Sequence, residues 1–399
     1  MVAASPGESG FAPLRVREFR LLFAGHVVAQ ALMPLQFVTQ IFWVQTFADE
    51  SYRIVLIGLI GTSRGAGALV FGLYGGALAD RFDRRKLLMA TQSAALAMNI
   101  SVATLMAISD GGPIALTVFF VLTFVASGLY GIDSPTRQAM VPDLLGPRLT
   151  PAGISLNAAG MQVAMPMSIF VSGFLIDSLG FPRTYALSGA GHAAEIGMLL
   201  LMRYQTRHAG LISGRSYGVR QTLHDVRDGF AYTRGQPTIF WIIILMITTV
   251  GLGFPPTANL GPTWVTTVVG VSIRNFGFIA IAWGLGAFTA SLVLTRYSLF
   301  ERKGALLALA TVGFGLSFVV FAMPRVPFAI TGNFGLGACL AVSQITSMSL
   351  VQHLVANEVR GRVMSLLQLN MGFAQLLTFP LAVAATIVSL EVVFPALAF

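Results

Sequence analysis

Ionisable side chains are rare inside the long apolar stretches of this sequence, and those that occur could carry protons or hold a polar ligand. His26, Gln30 and Gln40 fall within one narrow arc of a helical wheel. This spacing predicts a polar face that lines a cavity, with hydrogen bonding between helices as the alternative. Glu195 lies in another apolar stretch, one turn from His192. A bare carboxylate is costly there, so we expect Glu195 to be protonated or partnered with His192, as a candidate proton-coupling pair.

Three further charged groups border or enter these stretches. Arg64 stands about 24 Å before Asp80 along a helix that rises about 1.5 Å per residue, which predicts a position near the outer interface where its long stem can reach water. Asp133 and Arg137 are spaced i,i+4 at the inner end of a stretch. They either pair with each other or join a network with Asp80.

The elements that hold these groups must be membrane helices. The chain has 399 residues, of which 55% are hydrophobic and only 10% charged, whereas soluble domains are about 25% charged. A helix needs about 20 apolar residues to cross a bilayer, and the sequence predicts about 11 such spans. They lie near 21–47, 54–79, 87–108, 114–133, 154–176, 184–202, 238–258, 275–295, 304–323, 327–349 and 363–388.

The basic residues predict the orientation. With the N-terminus in the cytoplasm, most of the 25 lysines and arginines fall in inner loops, and the outer loops hold only Arg53, Arg183, Arg274 and Arg325. We therefore expect a multi-pass protein of the cell (inner) membrane. The charge of +9 is spread over these loops and does not indicate nucleic-acid binding. The single cysteine, Cys339, allows no intramolecular disulfide.

The spans fall into two groups. We expect an N-terminal six-helix bundle over 1–203, a cytoplasmic linker with an amphipathic helix over 204–237, and a C-terminal bundle of five complete spans over 238–399. The sequence from Glu391 onwards is apolar. We expect it to begin a twelfth span that is cut off, and a genuine eleven-span protein is the alternative.

A loop motif indicates the family. Residues 76–86 read Gly-Ala-Leu-Ala-Asp-Arg-Phe-Asp-Arg-Arg-Lys. This resembles the signature loop between helices two and three of the major facilitator superfamily, with Asp83 in place of a glycine. The segments 133–143 and 360–365 resemble the exporter branch that contains the enterobactin and macrolide efflux proteins. The resemblance implies an all-α membrane fold of two six-helix bundles.

The resemblance also implies a conformational switch. Asp80 would meet the start of helix eleven, whose N-terminus favours a negative charge, and would lock the inner side shut. The residues expected in this switch are Gly76, Asp80, Arg81, Arg84, Arg85, Asp133, Arg137, Gly361 and Arg362.

The function implied is secondary active transport, with proton-coupled export of an amphiphilic drug, macrolide or siderophore-like molecule by alternating access. We expect a monomer in the lipid bilayer, a small-molecule substrate, protons as the coupling ion and no cofactor. Helix roles in this fold add polar residues to the predicted cavity. The candidates are His26, Gln30, Gln40, Tyr130, Trp241, Asn333, Gln344, Gln368 and Asn370.

Two other functions stay open. One is uptake of a small solute, although an importer of anions should show cavity arginines and none is expected at mid-depth. The other is a sensor or scaffold that transports nothing. An enzyme is disfavoured, because the sequence shows no phosphate-binding loop, no metal-ligand cluster and no nucleophile–base pair.

Overall fold

The computed structural model describes residues 11–204, 230, 233–296, 302–355 and 372–396, and these residues are mostly helical with no strand among them. Eight helical stretches in this part of the chain are long and apolar enough to cross a membrane, and Gly372–Val388 is a shorter apolar stretch. The helices are α1 (Arg17–Phe47), α2 (Arg53–Arg81), α3 (Arg84–Ile108), α4 (Pro113–Leu201), α5 (Pro237–Thr248), α6 (Gly261–Thr267), α7 (Phe276–Arg296), α8 (Lys303–Phe321), α9 (Val326–Leu354), α10 (Thr378–Val388) and α11 (Leu390–Ala396).

The 89-residue helix α4 is broken at two glycines. Gly146 has a φ of 66° and Gly180 a φ of 78°, a backbone region that glycine enters without steric cost. Proline follows each break within two residues and suits the first turn of a new helix. The breaks give α4a (113–145), α4b (147–179) and α4c (181–201), which match three separate predicted spans.

The stretch Pro237–Thr267 forms one membrane-length element from α5 and α6. Wide π-helical turns at Thr249–Gly253 and Pro256–Leu260 join the two helices. Pro255 and Pro256 cannot donate backbone hydrogen bonds, so the regular ladder is interrupted at this point.

The helices pack in two groups. In the N-half, residues 11–204, helices α1, α2 and α3 pack mainly on α4. In the C-half, residues 233–396, α9 packs on α7 and α8. We call the end of the bundle that carries loop 48–52 the 48–52 end, and the opposite end, which carries loop 82–83, the 82–83 end.

The two halves meet at the 48–52 end. Gln45 on α1 donates a 2.9 Å hydrogen bond to Thr266 on α6. The rings of Phe42 and Phe276 meet edge to face at 5.2 Å. An exposed ion pair of 3.7 Å joins Asp177 of α4b to Arg274. Polar, aromatic and ionic contacts therefore hold this end of the bundle closed.

Glycines on α2 bring that helix close to the segment 372–388. A Cβ added to Gly61 would stand 2.9 Å from Gln375 and Thr378, and one added to Gly65 would stand 2.8 Å from the carbonyl of Gly372. These distances leave no room for a side chain, so α2 and the C-half approach backbone to backbone, as small residues allow in membranes. We call this contact the glycine seam.

At the 82–83 end, the basic loop makes several contacts with the N-half in the described part of the chain. Arg84 donates to Asp143 at 2.6 Å, and Arg85 donates to the carbonyl of Leu199 at 2.7 Å. Tyr204 also donates to Asp143, at 2.5 Å. The start of α3, next to loop 82–83, is thereby held against the end of α4a and the end of α4c.

Candidate functional site

A cavity of about 470 Å³, lined by both polar and apolar side chains, lies mainly inside the N-half. Helices α1 to α4 supply most of its wall, and Gly372 and Gln375 contribute from the C-half. Its volume falls in the range of about 300–1,000 Å³ that is typical of small-molecule sites. The cavity therefore has the size and the chemical lining of a ligand site.

Three charged side chains form one buried cluster in the cavity wall, which we call the Arg137 cluster. Arg137 donates to Asp133 through Nη2 at 2.7 Å and through Nε at 3.2 Å. Arg137 Nη2 also forms an ion pair with Glu195. All three residues are at most 4% exposed. Two carboxylates thus share one guanidinium in an apolar setting.

Glu195 is the less well satisfied of the two carboxylates. Both of its oxygens are buried and lack a hydrogen bond of good geometry within the described part of the chain. Asp133 also accepts a 2.8 Å hydrogen bond from Gln92. Because a buried carboxylate needs both pairing and hydrogen bonds, Glu195 is the group whose charged form is less well supported.

A chain of side chains leads from Asp133 to α1. The oxygen of Gln92 lies 2.7 Å from Nδ1 of His192, and Nε2 of His192 lies 3.1 Å from Nε2 of Gln36. Since the Gln92 amide nitrogen donates to Asp133, its oxygen must accept from Nδ1–H, and Nε2 then accepts from Gln36. The hydrogen-bond network assigns His192 as the neutral Nδ1–H tautomer.

A second arginine lies in the same cavity. Arg64 donates to the oxygen of Gln40 at 3.3 Å, and its guanidinium stands 4.9 Å from the centre of the Phe37 ring. The Gln40 amide nitrogen donates to Thr123 at 3.2 Å and to Tyr185 at 3.0 Å. This amide is therefore turned so that its oxygen faces Arg64.

Comparison with known proteins identifies the family. Residues 8–376 match the family described as transmembrane secretion effector. The chain belongs to this family of major facilitator superfamily transporters. It is 21% identical over 338 residues to the staphyloferrin A transporter of Staphylococcus aureus, across 84% of this chain and 82% of that one. It is 22% identical over 354 residues to the enterobactin exporter EntS of Shigella boydii, across 86% and 79%.

Solved structures show the same fold. The nucleoside transporter NupG superposes with a TM-score of 0.72 at 14% identity and covers 96% of this chain and 95% of its own. A bacterial homolog of the human lysosomal transporter Spinster superposes with a TM-score of 0.72 at 14% identity, across 92% and 81%. The chain is therefore an all-helical membrane transporter of the major facilitator type, and its family consists of transporters, not enzymes.

Several residues predicted for the transporter's site lie together. His26, Gln30, Gln40 and Tyr130 line the cavity. Asp133, Arg137, His192 and Glu195 also line it, although sequence reasoning placed Asp133 and Arg137 in the loop switch. The two sets form one site because α1, α4a and α4c face the same space.

The predicted partner of Glu195 was wrong. Glu195 pairs with Arg137, not with His192. Residues three apart on a helix diverge by about 60°, so His192 reaches α3 while Glu195 reaches α4a. Asp133 and Arg137 pair with each other, and Asp80 pairs separately with Arg84 at 3.6 Å.

The prediction for Arg64 was also wrong. It does not reach out to the interface but turns into the cavity, where Gln40 and Phe37 hold it. Helix α2 extends from Arg53 to Arg81, so Arg64 lies about 16 Å along the helix from its 48–52 end, well inside the span and not at its end. The expectation of a cavity without a mid-depth arginine fails with it.

Three candidates from the C-half do not line the cavity. Trp241 is 61% exposed at the bundle surface. Asn333 donates to the carbonyl of Ile279 at 2.8 Å and so ties α9 to α7. Gln344 is half-buried on α9. Because the cavity lies mainly in the N-half, these groups serve packing or the surface.

Other predicted residues have no cavity role in the described structure or lie outside it. Gly76 and Arg81 lie at the end of α2, and Arg84 and Arg85 hold the following loop. Gly361, Arg362, Gln368 and Asn370, and most of the linker 204–237, lie outside the described residues.

Sequence reasoning missed several cavity residues. Gln92 and Asn99 on α3 are seven residues apart, which places two amides on one face of an apolar helix. Asn99 donates to Ser188 at 2.8 Å, and Gln92 joins the chain to Asp133. This amide spacing is a signal that could have identified α3 as a cavity helix.

Proposed function

We propose that this transporter exports an amphiphilic small molecule by alternating access and that proton entry through the Arg137 cluster drives it. The observation that carries the proposal is the pair of carboxylates, Asp133 and Glu195, on one buried arginine. Ionisable groups inside membrane proteins are costly and mark substrate or ion pathways. The likeness to an enterobactin exporter supports the outward direction.

The charge of the Arg137 cluster supplies a physical reason for proton binding. With both carboxylates ionised, the three groups carry one net negative charge in a low-dielectric wall. One proton on Glu195 makes the cluster neutral and removes the charge of the less well satisfied carboxylate. His192 is occupied as donor and acceptor by Gln92 and Gln36, so Glu195 is the better proton site.

The contacts between the halves support alternating access. The Phe42–Phe276 contact and the Gln45–Thr266 hydrogen bond close the 48–52 end, and the glycine seam joins the halves deeper along α2. In the predicted orientation this end would face outside, and the transporter would then be closed toward the outside. Opening at one end and closing at the other would follow from rocking one half against the other. The Asp80 loop would lock the inner end in the opposite state.

The test uses purified transporter in liposomes with an imposed pH gradient and a panel of dyes and antibiotics. Glu195→Gln should abolish gradient-driven transport but retain exchange of labelled for unlabelled cargo, because exchange needs no proton. Glu18→Gln, which changes a carboxylate at the 82–83 end, is the matched control and should transport normally. Gradient-driven transport that survives Glu195→Gln would exclude proton coupling at this residue.

Uptake of an anion is the second candidate, and Arg64 favours it. A proton and an anion in one cavity attract each other, so each binds more tightly when the other is present. This favours transport of both in the same direction. The same liposomes separate the two functions. With protons more concentrated outside, the gradient would drive cargo outward if the protein is an exporter and inward if it is an uptake carrier.

A further inference from the structure

We propose that Arg64, Gln40 and Tyr185 form a subsite that binds the anionic group of an amphiphilic cargo, such as an aryl carboxylate. The inference rests on the proposed function only in taking the cavity as the cargo site, and it does not depend on the direction of transport. All three residues line the cavity.

The charge of Arg64 lacks a counter-ion. Within the described residues, Arg64 forms no ion pair, and its polar contact is one hydrogen bond from Nη1 to Gln40. A guanidinium has five N–H donors, so most of them remain for a ligand. The Phe37 ring covers one face of the guanidinium and leaves its edge as the reactive side. A cation without a counter-ion inside a membrane bundle is costly, and an anionic ligand would relieve that cost.

Gln40 fixes the direction of the subsite. Its amide nitrogen is engaged by Thr123 and Tyr185, which forces its oxygen toward Arg64. A polar group locked on both sides holds the guanidinium in one place without neutralising it. Gln40 is thus a positioning residue, since a glutamate in its place would form an ion pair and close the site.

Tyr185 supplies a second donor. Its hydroxyl oxygen accepts from Gln40, and its own O–H proton remains available to donate. The side chain is 2% exposed, so its direction is fixed by packing. A carboxylate between Arg64 and Tyr185 would receive charge-assisted hydrogen bonds from both, and the apolar remainder of the ligand would occupy the rest of the cavity.

The test measures binding alone, in nanodiscs of phosphatidylcholine, by calorimetry with three probes that share one ring. These are 2-naphthoate, 2-naphthamide and 2-naphthylmethylammonium, which carry charges of about −1, 0 and +1 at neutral pH. We expect the wild type to bind naphthoate about tenfold more tightly than naphthamide, and the ammonium most weakly. Arg64→Gln should reduce the ratio to about one, and Arg64→Lys should retain part of it.

A matched control changes an arginine outside the cavity. The side chain of Arg53 donates to the carbonyl of Ala48. The variant Arg53→Gln should leave the naphthoate preference unchanged. Three results would overturn the subsite. These are a wild type that prefers the amide or the ammonium, one that binds none of the probes at millimolar concentration, and a preference that survives Arg64→Gln.

Adding phosphatidylglycerol to the nanodiscs distinguishes two sources of the anion. Competition with naphthoate would show that a lipid headgroup occupies the same subsite, and the absence of competition would assign it to a soluble amphiphile. Both results keep Arg64 as the anion site. If the wild type binds naphthoate in nanodiscs but transports nothing in liposomes, the proposed transport cycle is refuted and the subsite still stands.

Discussion

Two arginines line the same cavity, but they have opposite kinds of partner. Arg137 is held by Asp133 and Glu195 and has excess negative charge around it. Arg64 is held by an amide oxygen and an aromatic ring, and no carboxylate pairs with it in the described part of the chain. The neighbouring side chains, and not the arginine itself, therefore set the charge that each site carries. On the proposed function, the carboxylates around Arg137 offer a proton site, and the neutral partner of Arg64 leaves its cation open to an anionic ligand.

The position of the two groups along the cavity adds to this difference. Arg137 and Glu195 lie on the parts of α4 nearer the 82–83 end, whereas Arg64 lies next to the glycine seam. The two arginines therefore lie at different depths of the cavity. On the proposed function, a proton and an anionic cargo would bind at these different places.

The largest expected effect comes from removing the shared cation. Arg137→Gln leaves two buried carboxylates facing each other, and loss of one partner of a buried ion pair costs about 3–5 kcal/mol. Thermal unfolding in detergent measures the loss. The triple variant that adds Asp133→Asn and Glu195→Gln should recover part of it, because the uncompensated charges are gone. A triple variant less stable than Arg137→Gln would contradict the charge explanation.

Arg64→Gln provides the contrast in the same unfolding assay. Arg64 makes one hydrogen bond and one ring contact, so we expect a loss of at most about 1 kcal/mol. A loss as large as that of Arg137→Gln would mean that Arg64 is a structural residue, and the difference between the two arginines would disappear.

Gln40→Leu sharpens the comparison at Arg64. The change removes the side chain that hydrogen-bonds Arg64, Thr123 and Tyr185 at the same time. Arg64 then loses its fixed position but keeps its charge. The naphthoate preference should fall about fivefold, less than in Arg64→Gln. The conservative variant Gln40→Asn should lose the preference to a similar extent because its amide is too short to reach. A preference unchanged in both variants would remove Gln40 from the subsite.

The smallest effect is expected at the glycine seam. In Gly61→Ala the new methyl group crowds Gln375 and Thr378, and the closed state should lose population by about twofold to fivefold. Labelling of Ala382→Cys, a fully buried position of α10 beside Gly58, by an impermeant maleimide in a Cys339→Ser background measures how often the seam opens. Gly72→Ala is the control, since its Cβ would stand 3.7 Å from Gly131, an ordinary contact within the N-half. Equal labelling in both would show that the seam does not limit opening.

The fold was largely predictable from the sequence, because apolar length and basic loops are properties of single segments. The predicted spans 114–133, 154–176 and 184–202 correspond to the three segments of α4, and the loop motif indicated the family that the comparison shows. Gly146 and Gly180 interrupt the helical run at the positions of the predicted loops.

The site was predictable only in part, because side-chain pairing depends on rotation and depth of neighbouring helices. The wheel of α1 identified His26, Gln30 and Gln40, which share one helix. The pairing of Glu195 with Arg137 joins two helices across a space that no single wheel describes. Arg64 was misplaced because depth was counted from Asp80 alone, whereas the partner that draws it inward, Gln40, lies on another helix.

Arg64 and Gly65 are consecutive residues of α2, and one faces the cavity while the other lies against Gly372 and Gln375. Neighbouring residues of a helix are only about 1.5 Å apart along its axis, so they cannot move independently. Arg64, Gln40 and Tyr185 all belong to the N-half, so separation of the seam would take Gly372 and Gln375 away from the cavity wall and leave these three side chains together. Opening at the seam would therefore widen access to the cavity without breaking the proposed anion contacts, and a bound molecule would still hold them when its path to solvent opens.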